Sequence, residues 1–533
     1  MVVSVIGLGY IGLPTAALLA SQGAQVIGVD VNKGIVETIN RGMIHIVEPE
    51  LSTLVRDAVN KGNLYAKIVP VKANVFIVSV PTPFKEDFEP DLSYIESAVK
   101  SISSVLEKGN LVILESTSPV GTTEKMMKIM QKERPDLIFP APDVDESLID
   151  IHLAHCPERV LPGKIVHELV NNDRVIGGLT NYCSNKARDF YKTFVVGKCF
   201  ITDVRTAELC KLVENSFRDV NIAFANELSL ICDKLNVDVW DLIRFANHHP
   251  RVNILQPGPG VGGHCIAVDP WFIVNSAPDE SKLISMARKI NDNKPKYVID
   301  KINNVAKLID LKNKEINIVC LGLSFKADID DLRESPAVNI VSSLSYLGFN
   351  KIYVVEPNIS ALPEHFNNDT VNLVSIEEGV SKSNIVVTLV DHNEFKSIDK
   401  KFAHKYYNKI SLGIDFTARD IQNELKIKGL PWEKSKAFDG SALIGEWIDK
   451  NEFNDINNLN FSLKKNGDNA QLGNTSKMLW SFDELVSEIS RFFTLKIGDV
   501  IFTGTPSGVN RVFENDLFEG FIEDKNVFNI NIK

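Results

Sequence analysis

Apolar residues in the first 120 positions or so fall into short β-branched runs separated by stretches with helical spacing. Val2–Ile6 leads at once into GLGYIG, then an Ala/Leu-rich stretch to Ser21 and a second run, QVIGVD, ending at Asp30. This predicts a strand, turn, helix and strand. VFIVSVPTP (75–83) and NLVILESTSPVGTT (110–123) continue the alternation, each apolar run leading into Ser, Thr and Pro. From Asp203 to Leu235 there is neither Gly nor Pro, and Leu209, Leu212, Val213, Val220, Phe224, Leu228 and Ile231 recur at helical spacing. One long helix is expected there. On it Lys211, Asn215 and Arg218 share a second face, suited to either a solvated stripe or a site. INIVCLG (316–322), KIYVVEPN (351–358) and NIVVTLVDH (384–392) repeat the α/β alternation after a linker-like LKNKEI (311–316). Beyond about Ile410 the texture changes: a polar patch (449–475) precedes DVIFTGTPSGV and NVFNINI, which predict strands of a β-rich region.

Composition narrows the class. At 533 residues, with 44% apolar and 24% charged residues, three or four soluble globular domains are expected. A net charge of −11 disfavours nucleic acid and anionic membranes as partners. Cys156, Cys183, Cys199, Cys210, Cys232, Cys265 and Cys320 are odd in number and lack paired metal-type spacing, which points to a reducing compartment. The apolar N-terminus lacks a basic segment and is broken by Gly7, Gly9, Gly12 and Pro14, so a cytoplasmic protein without a membrane span is expected.

Three places carry candidate chemistry. Gly7, Gly9 and Gly12 form G-x-G-x-x-G between strand and helix, with Asp30 about 20 residues on, a pattern that binds a dinucleotide. Thr82 and Thr117 follow strand ends, where they either touch that cofactor or cap a helix. PGPGVGGHCIAVDP places Cys265 in a loop whose glycines allow close approach and whose prolines limit its wandering, although a small buried hydrophobe would fit there too. Lys326 and Arg333, after the glycine-ended strand at 316–322, suit a second phosphate-bearing ligand or surface ion pairs.

GLGYIGLPTA, HCPERVLPGK, TAELCKLVENSFRDVNIAFANELS, NHHPRVNILQPGPGVGGHCIAVDPWF and GLSFKADIDDLRESP together resemble the nucleotide-sugar 6-dehydrogenases of the UDP-glucose/GDP-mannose dehydrogenase family, over roughly residues 1–416. The resemblance implies an NAD-dependent four-electron oxidation of UDP-N-acetyl-D-mannosamine to the uronate, for surface polysaccharide precursors. Oxidation of another UDP-sugar is the alternative. Cys265 would add to the intermediate aldehyde as a thiohemiacetal, and loss of a second hydride would give a thioester. Lys211 and Asn215 would stabilise the alkoxide, Glu158 would be the base for thioester hydrolysis, and Asp269 would order water. Tyr10, Ile11 and Arg333 join the glycines, Asp30, Thr82 and Thr117 on the NAD side. Arg159, Val160, Arg218, His249, Arg251, Gly262 and Lys326 match positions that contact the nucleotide sugar. The family pairs subunits through the central helix, which implies a homodimer or higher oligomer.

The tail resembles something else. DFTARDIQNELKIKGLPWEKSKAFDG and GNTSKMLWSFDELVSEISRFFTLKIGDVIFTGTPSGV are similar to the C-terminal half of the fumarylacetoacetate hydrolase family, whose Mg²⁺ or Mn²⁺ is held by three carboxylates. Asp415 matches one ligand, Lys436 a catalytic lysine and Thr503–Pro506 a substrate turn. The other two ligands belong to a half this chain lacks. Glu48-Pro49-Glu50 has the right spacing but lies in the dehydrogenase portion, so no metal site and a partial, inactive domain are expected. Metal-dependent hydrolase or decarboxylase activity of the tail, and a dead chimera that only binds, remain as alternatives. The expected architecture is α/β: an NAD-binding Rossmann domain (1–198), a central helical domain (199–300), a second Rossmann-like domain (301–412) and the β-rich partial domain (413–533).

Overall fold

The β-branched runs of the N-terminal region form one eight-stranded sheet. In chain order its strands are β1 (Val2–Ile6), β2 (Gln25–Val29), β3 (Leu64–Lys67), β4 (Val75–Val78), β5 (Leu111–Leu114), β6 (His152–His155), β7 (Arg174–Gly178) and β8 (Cys199–Asp203). Across the sheet the order is β3-β2-β1-β4-β5-β6-β7-β8, parallel except for the β6–β7 pair. The order reverses beside β1, so a crevice opens between the ends of β1 and β4, where open α/β sheets bind ligands. Side chains alternate across the sheet: Val3, Val5 and Ile77 enter one core, Ile6, Phe76 and Val78 the other. The computed structural model describes residues 1–533 except 47, 86–87, 142–143, 162, 264, 310, 367–368, 398–405, 491–492, 494 and 496–497.

The expected long helix runs Val204–Leu235, and Asp203 caps it by accepting from the Thr206 N–H. It packs against a second long helix, Lys282–Leu308. Its apolar row is only partly covered: Leu212 is buried, whereas Leu209, Val213, Phe217, Phe224 and Ile231 are exposed. Four parallel strands, β9 (Asn317–Leu321), β10 (Lys351–Val355), β11 (Val371–Leu373) and β12 (Ile385–Thr388), form a second sheet in the order β11-β10-β9-β12. Among the described residues no helix is long and apolar enough to cross a membrane.

The chain divides into two compact units, Met1–Asp391 and His392–Lys533. The second is built on a four-stranded antiparallel sheet in which β17 (Asn460–Lys465), β18 (Asp468–Asn474), β19 (Leu517–Ile522) and β20 (Lys525–Asn531) lie in the order β18-β17-β19-β20. NVFNINI is therefore a strand, as expected. DVIFTGTPSGV is not: residues 499–509 form no strand, because Gly504 and Gly508 sit at positive φ on either side of Pro506. The short strands β13 (Lys409–Ile410), β14 (Gly413–Asp415), β15 (Ala442–Ile444) and β16 (Ile448–Asp449) form two separate pairs, β13–β16 and β14–β15.

Candidate active site

The crevice beside β1 has the shape of a dinucleotide cradle. Gly7 has φ +92° and donates to Val29 O at 2.8 Å; a Cβ there would lie 2.4 Å from Ser79 O. A Cβ on Gly12 would lie 1.9 Å from Gly7 O, so both glycines are required by backbone packing. Gly9 is different: a Cβ there meets nothing within 4 Å, which leaves the approach open for a ligand. No side chain caps the Gly12–Ser21 helix; Leu13 and Thr15 N–H donate to Gly9 O and Ile11 O at 3.1 Å each and Pro14 has no N–H, which leaves the Gly12 N–H, without a partner among the described residues, to face an anion. Asp30 accepts from Leu8 N–H at 3.0 Å and Asn32 N–H at 2.9 Å, which fixes its carboxylate while leaving lone pairs for a ribose diol. Thr82 Oγ1 donates to Thr117 O at 2.7 Å, joining the exits of β4 and β5. The Arg333 guanidinium lies 5.1 Å from the Tyr10 ring centroid, and Asp331 holds it there through Nε at 2.9 Å and Nη2 at 2.6 Å. Ile11, at the same helix entrance, is half-buried. These residues fit NAD.

Cys265 ends the glycine loop directly before the Asp269–Ser276 helix, and its carbonyl accepts from the Val268 and Asp269 N–H groups at 3.0 and 2.8 Å. Burial, reinforced by the Asp269 charge and opposed by Lys211 and Arg333, pushes its thiol up to about 11. Asp269 is itself raised to about 7 by burial, against the opposing effects of Asn215 and Lys211. Asn215 Nδ2 donates to Asp269 Oδ2 at 2.5 Å. The long helix thus brings Lys211 and Asn215 to the cysteine and its acid. The loop is also held from the other side. Gly263 N–H donates to Arg333 O at 3.2 Å, and a Cβ on Gly262 would lie 2.6 Å from Glu334 O and 2.7 Å from Phe325 Cβ. The segment after β9 therefore lies on the Cys265 loop, which is why glycine stands at 262.

Glu158 is buried and engaged elsewhere: it accepts from Arg174 Nη1 at 2.5 Å and from the Arg159 N–H at 2.7 Å. Around Arg174 lies a buried cluster that sequence reasoning missed. Glu115 accepts from Tyr191 Oη at 2.7 Å and Ser79 Oγ at 3.0 Å, and burial followed by the Glu158 charge raises it to about 7. Glu208, also missed, accepts from Gly121 N–H, Thr123 N–H and Thr123 Oγ1 at 2.6–2.8 Å, tying the VGTT turn to the long helix. Its spacing from Lys211, one turn along the same face, was the available signal. Arg159 pairs with Glu214, and Val160 beside it is half-buried. Arg218, His249, Arg251 and Lys326 are exposed. Among the described residues no hydrogen bond or ion pair joins them to the Cys265 cluster.

In the second unit Lys436 Nζ donates to Asp415 Oδ2 and, at 2.7 Å, to Thr417 Oγ1. Gln471 Nε2 holds the 503–506 turn through Thr505 Oγ1 at 3.1 Å and Pro506 O at 3.0 Å. Glu48, in the first unit, accepts from Gly163 and Ile165 N–H at 2.8 and 2.7 Å, a structural task.

Three stretches of the chain match known families. Residues 1–195 match the NAD binding domain of the UDP-glucose/GDP-mannose dehydrogenase family, residues 205–293 its central domain, and residues 367–533 the fumarylacetoacetate (FAA) hydrolase C-terminal family. An NDP-N-acetyl-D-galactosaminuronic acid dehydrogenase of Ralstonia nicotianae is 57% identical over 74% of this chain and 92% of its own. A UDP-N-acetyl-D-mannosamine dehydrogenase of Escherichia coli K12 is 55% identical over 76% of this chain and 97% of its own. The solved UDP-D-ManNAc dehydrogenase of Pyrococcus horikoshii superposes with a TM-score of 0.68 at 38% identity, covering 75% of this chain and 92% of that one. With its glycine cradle, its Cys265 loop and relatives matched over almost their whole length, the chain belongs to the UDP-glucose/GDP-mannose dehydrogenase family and carries in addition a fumarylacetoacetate hydrolase-type C-terminal region.

Proposed function

We propose that the chain oxidises UDP-N-acetyl-D-mannosamine to its 6-carboxylate through a covalent intermediate on Cys265. The observation that carries this reading is the convergence of Lys211, Asn215 and Asp269 on Cys265, with Arg333 reaching from that loop to Tyr10 of the cofactor cradle. Bound NAD supplies the hydride acceptor for both oxidations. Lys211 takes the proton of the C6 hydroxyl and steadies the oxygen together with the Asn215 amide. Cys265 adds to the aldehyde carbon, making it tetrahedral and able to lose its remaining hydrogen as hydride; the resulting thioester is opened by water. Glu158, which keeps lone pairs beyond those used by Arg174 Nη1 and the Arg159 N–H, is the base for that last step, and Asp269 orders the water. Arg159, Val160, Arg218, His249, Arg251, Gly262 and Lys326 hold the nucleotide sugar. Residues 1–198 bind NAD, 199–300 supply the helices and nucleophile loop, 301–412 close on the sugar nucleotide, and 413–533 are a passenger.

The reading also includes a homodimer through the long helix, supported by its uncovered apolar row, in which Phe217 is 70% exposed. Oxidation of an N-acetylgalactosamine-type sugar is the second reading, favoured by the 57% identity to the Ralstonia relative. The tail adds no metal-dependent step, because Asp415 is one of the three carboxylates such a site needs and the other two belong to a half this chain lacks. NADH absorbance with UDP-N-acetylmannosamine, its epimers and UDP-glucose tests all of this. Two NADH per UDP-N-acetylmannosamine are expected; one NADH with free aldehyde, or faster turnover of another sugar, overturns the reading.

A further inference from the structure

The dipeptide Glu158-Arg159 is held by two crossed ion pairs. Glu158 turns inward to Arg174 on β7, whereas Arg159 turns outward to Glu214 on the long helix. The outward pair is two-pronged: Arg159 Nη2 meets Glu214 Oε1 at 2.6 Å and Nε donates to Oε2 at 3.1 Å. Such fork-to-fork pairing fixes the plane of the guanidinium as well as its position. The backbone of residue 159 is fixed as well, its N–H by Glu158 at 2.7 Å and its carbonyl by Asn172 Nδ2 at 2.9 Å. Nη1 also donates to Asp173 O at 3.3 Å. Of the five guanidinium N–H groups, two thus remain without a partner among the described residues. They are directional donors that no described residue uses.

Glu214 occupies an informative place. It lies next to Asn215 and three residues after Lys211, within one helical turn of the two side chains gathered at Cys265 and Asp269. Holding Arg159 from this position ties its remaining donors to the same turn of the helix that carries Lys211 and Asn215, beside where the sugar ring would follow its reacting end. A hexose carries hydroxyls there and, on an acetamido sugar, an amide carbonyl, the stronger acceptor. A preset donor pair rejects a sugar that lacks its acceptor, because the donors are then desolvated without a partner.

We propose that Glu214 is a positioning residue that fixes the Arg159 guanidinium against the sugar ring and thereby selects a UDP-sugar bearing an acetamido group. This rests on the assignment of Arg159 to the sugar nucleotide above. Were Glu214 only a strut between helix and turn, its loss would lower stability without altering the choice of sugar.

The test uses the full chain at saturating NAD, with UDP-N-acetylmannosamine and UDP-glucose as paired substrates. Calorimetric binding of both sugars and thermal melts are run alongside, on Glu214→Gln, Glu214→Ala, Glu214→Asp and Arg159→Ala. Glu214→Gln should raise KM and Kd for the acetamido sugar about tenfold, leave kcat within about twofold, and narrow the preference over UDP-glucose by a similar factor. Glu214→Asp should restore most of the loss, and Arg159→Ala should do at least as much damage as Glu214→Ala. If both uncharged variants at 214 keep the wild-type KM, Kd and preference while Arg159→Ala loses them, the inference is wrong and the assignment of Arg159 stands. If Arg159→Ala also binds and discriminates normally, or the wild type binds neither sugar, both are wrong.

Discussion

The two α/β halves of the first unit use the same turn for different ends. After β1, Gly7 takes positive φ, donates to the last residue of β2, and is followed by Leu8, whose N–H is held by Asp30. After β9, Gly322 has φ +90° and donates to Val355 O at 2.8 Å, and the Leu323 and Ser324 N–H groups are held by Glu356 at 2.7 and 3.0 Å. An acid just past the neighbouring strand fixes the turn in both. In the first half, however, Gly9 stands open and Asp30 is half-exposed, so the turn is left accessible; in the second Glu356 is 4% exposed and the turn continues into Phe325 and Arg333, which lie on the Cys265 loop. One local geometry thus serves binding where side chains are absent and closure where they are present.

The two halves meet at Cys265, so the largest effect is expected there. Cys265→Ser should lower acid formation by roughly 10³-fold or more while NAD affinity, read by fluorescence quenching, stays at the wild-type level. Wild-type-like acid production would return the thiol to a packing role. Gly7→Ala should cost about 2–4 kcal/mol of stability and most NAD binding, since the new methyl meets Ser79 O and the residue keeps a left-handed φ. A melt and NAD affinity like the wild type's would mean the first turn tolerates what its geometry forbids. Asp30→Asn should raise KM for NAD about tenfold and shrink the preference for NAD over NADP, through loss of a charged acceptor; an unchanged cofactor ratio would contradict the proposed role of the acid. The smallest effect separates the halves: Glu356→Gln should lower stability by about 1–2 kcal/mol and leave KM for NAD untouched. A cofactor defect in that variant would show that the second acid is not confined to closure.

Strands, the long helix and the glycine cradle were legible in the sequence because each is written in neighbouring residues: β-branched runs, a stretch free of Gly and Pro, and G-x-G-x-x-G beside Asp30. The convergence of Lys211, Asn215 and Asp269 on Cys265 was legible through helical spacing together with family resemblance. Glu115, Glu208 and Glu356 were not, since their partners lie 76, 85 and 33 positions away and a lone glutamate looks the same whether solvated or buried. Asp499–Val509 misled for the opposite reason: its apolar residues suggested a strand, and Gly504, Pro506 and Gly508 outweighed them.

The state of Cys265 at rest has a consequence for how long the protein stays usable. Burial, reinforced by the Asp269 charge, pushes its thiol up to about 11, so at neutral pH the residue rests as the thiol. Peroxides and alkylating metabolites attack thiolates, so the residue is stored in its chemically inert form. A thiol kept in this state is shielded from oxidative wear for as long as its surroundings stay as they are.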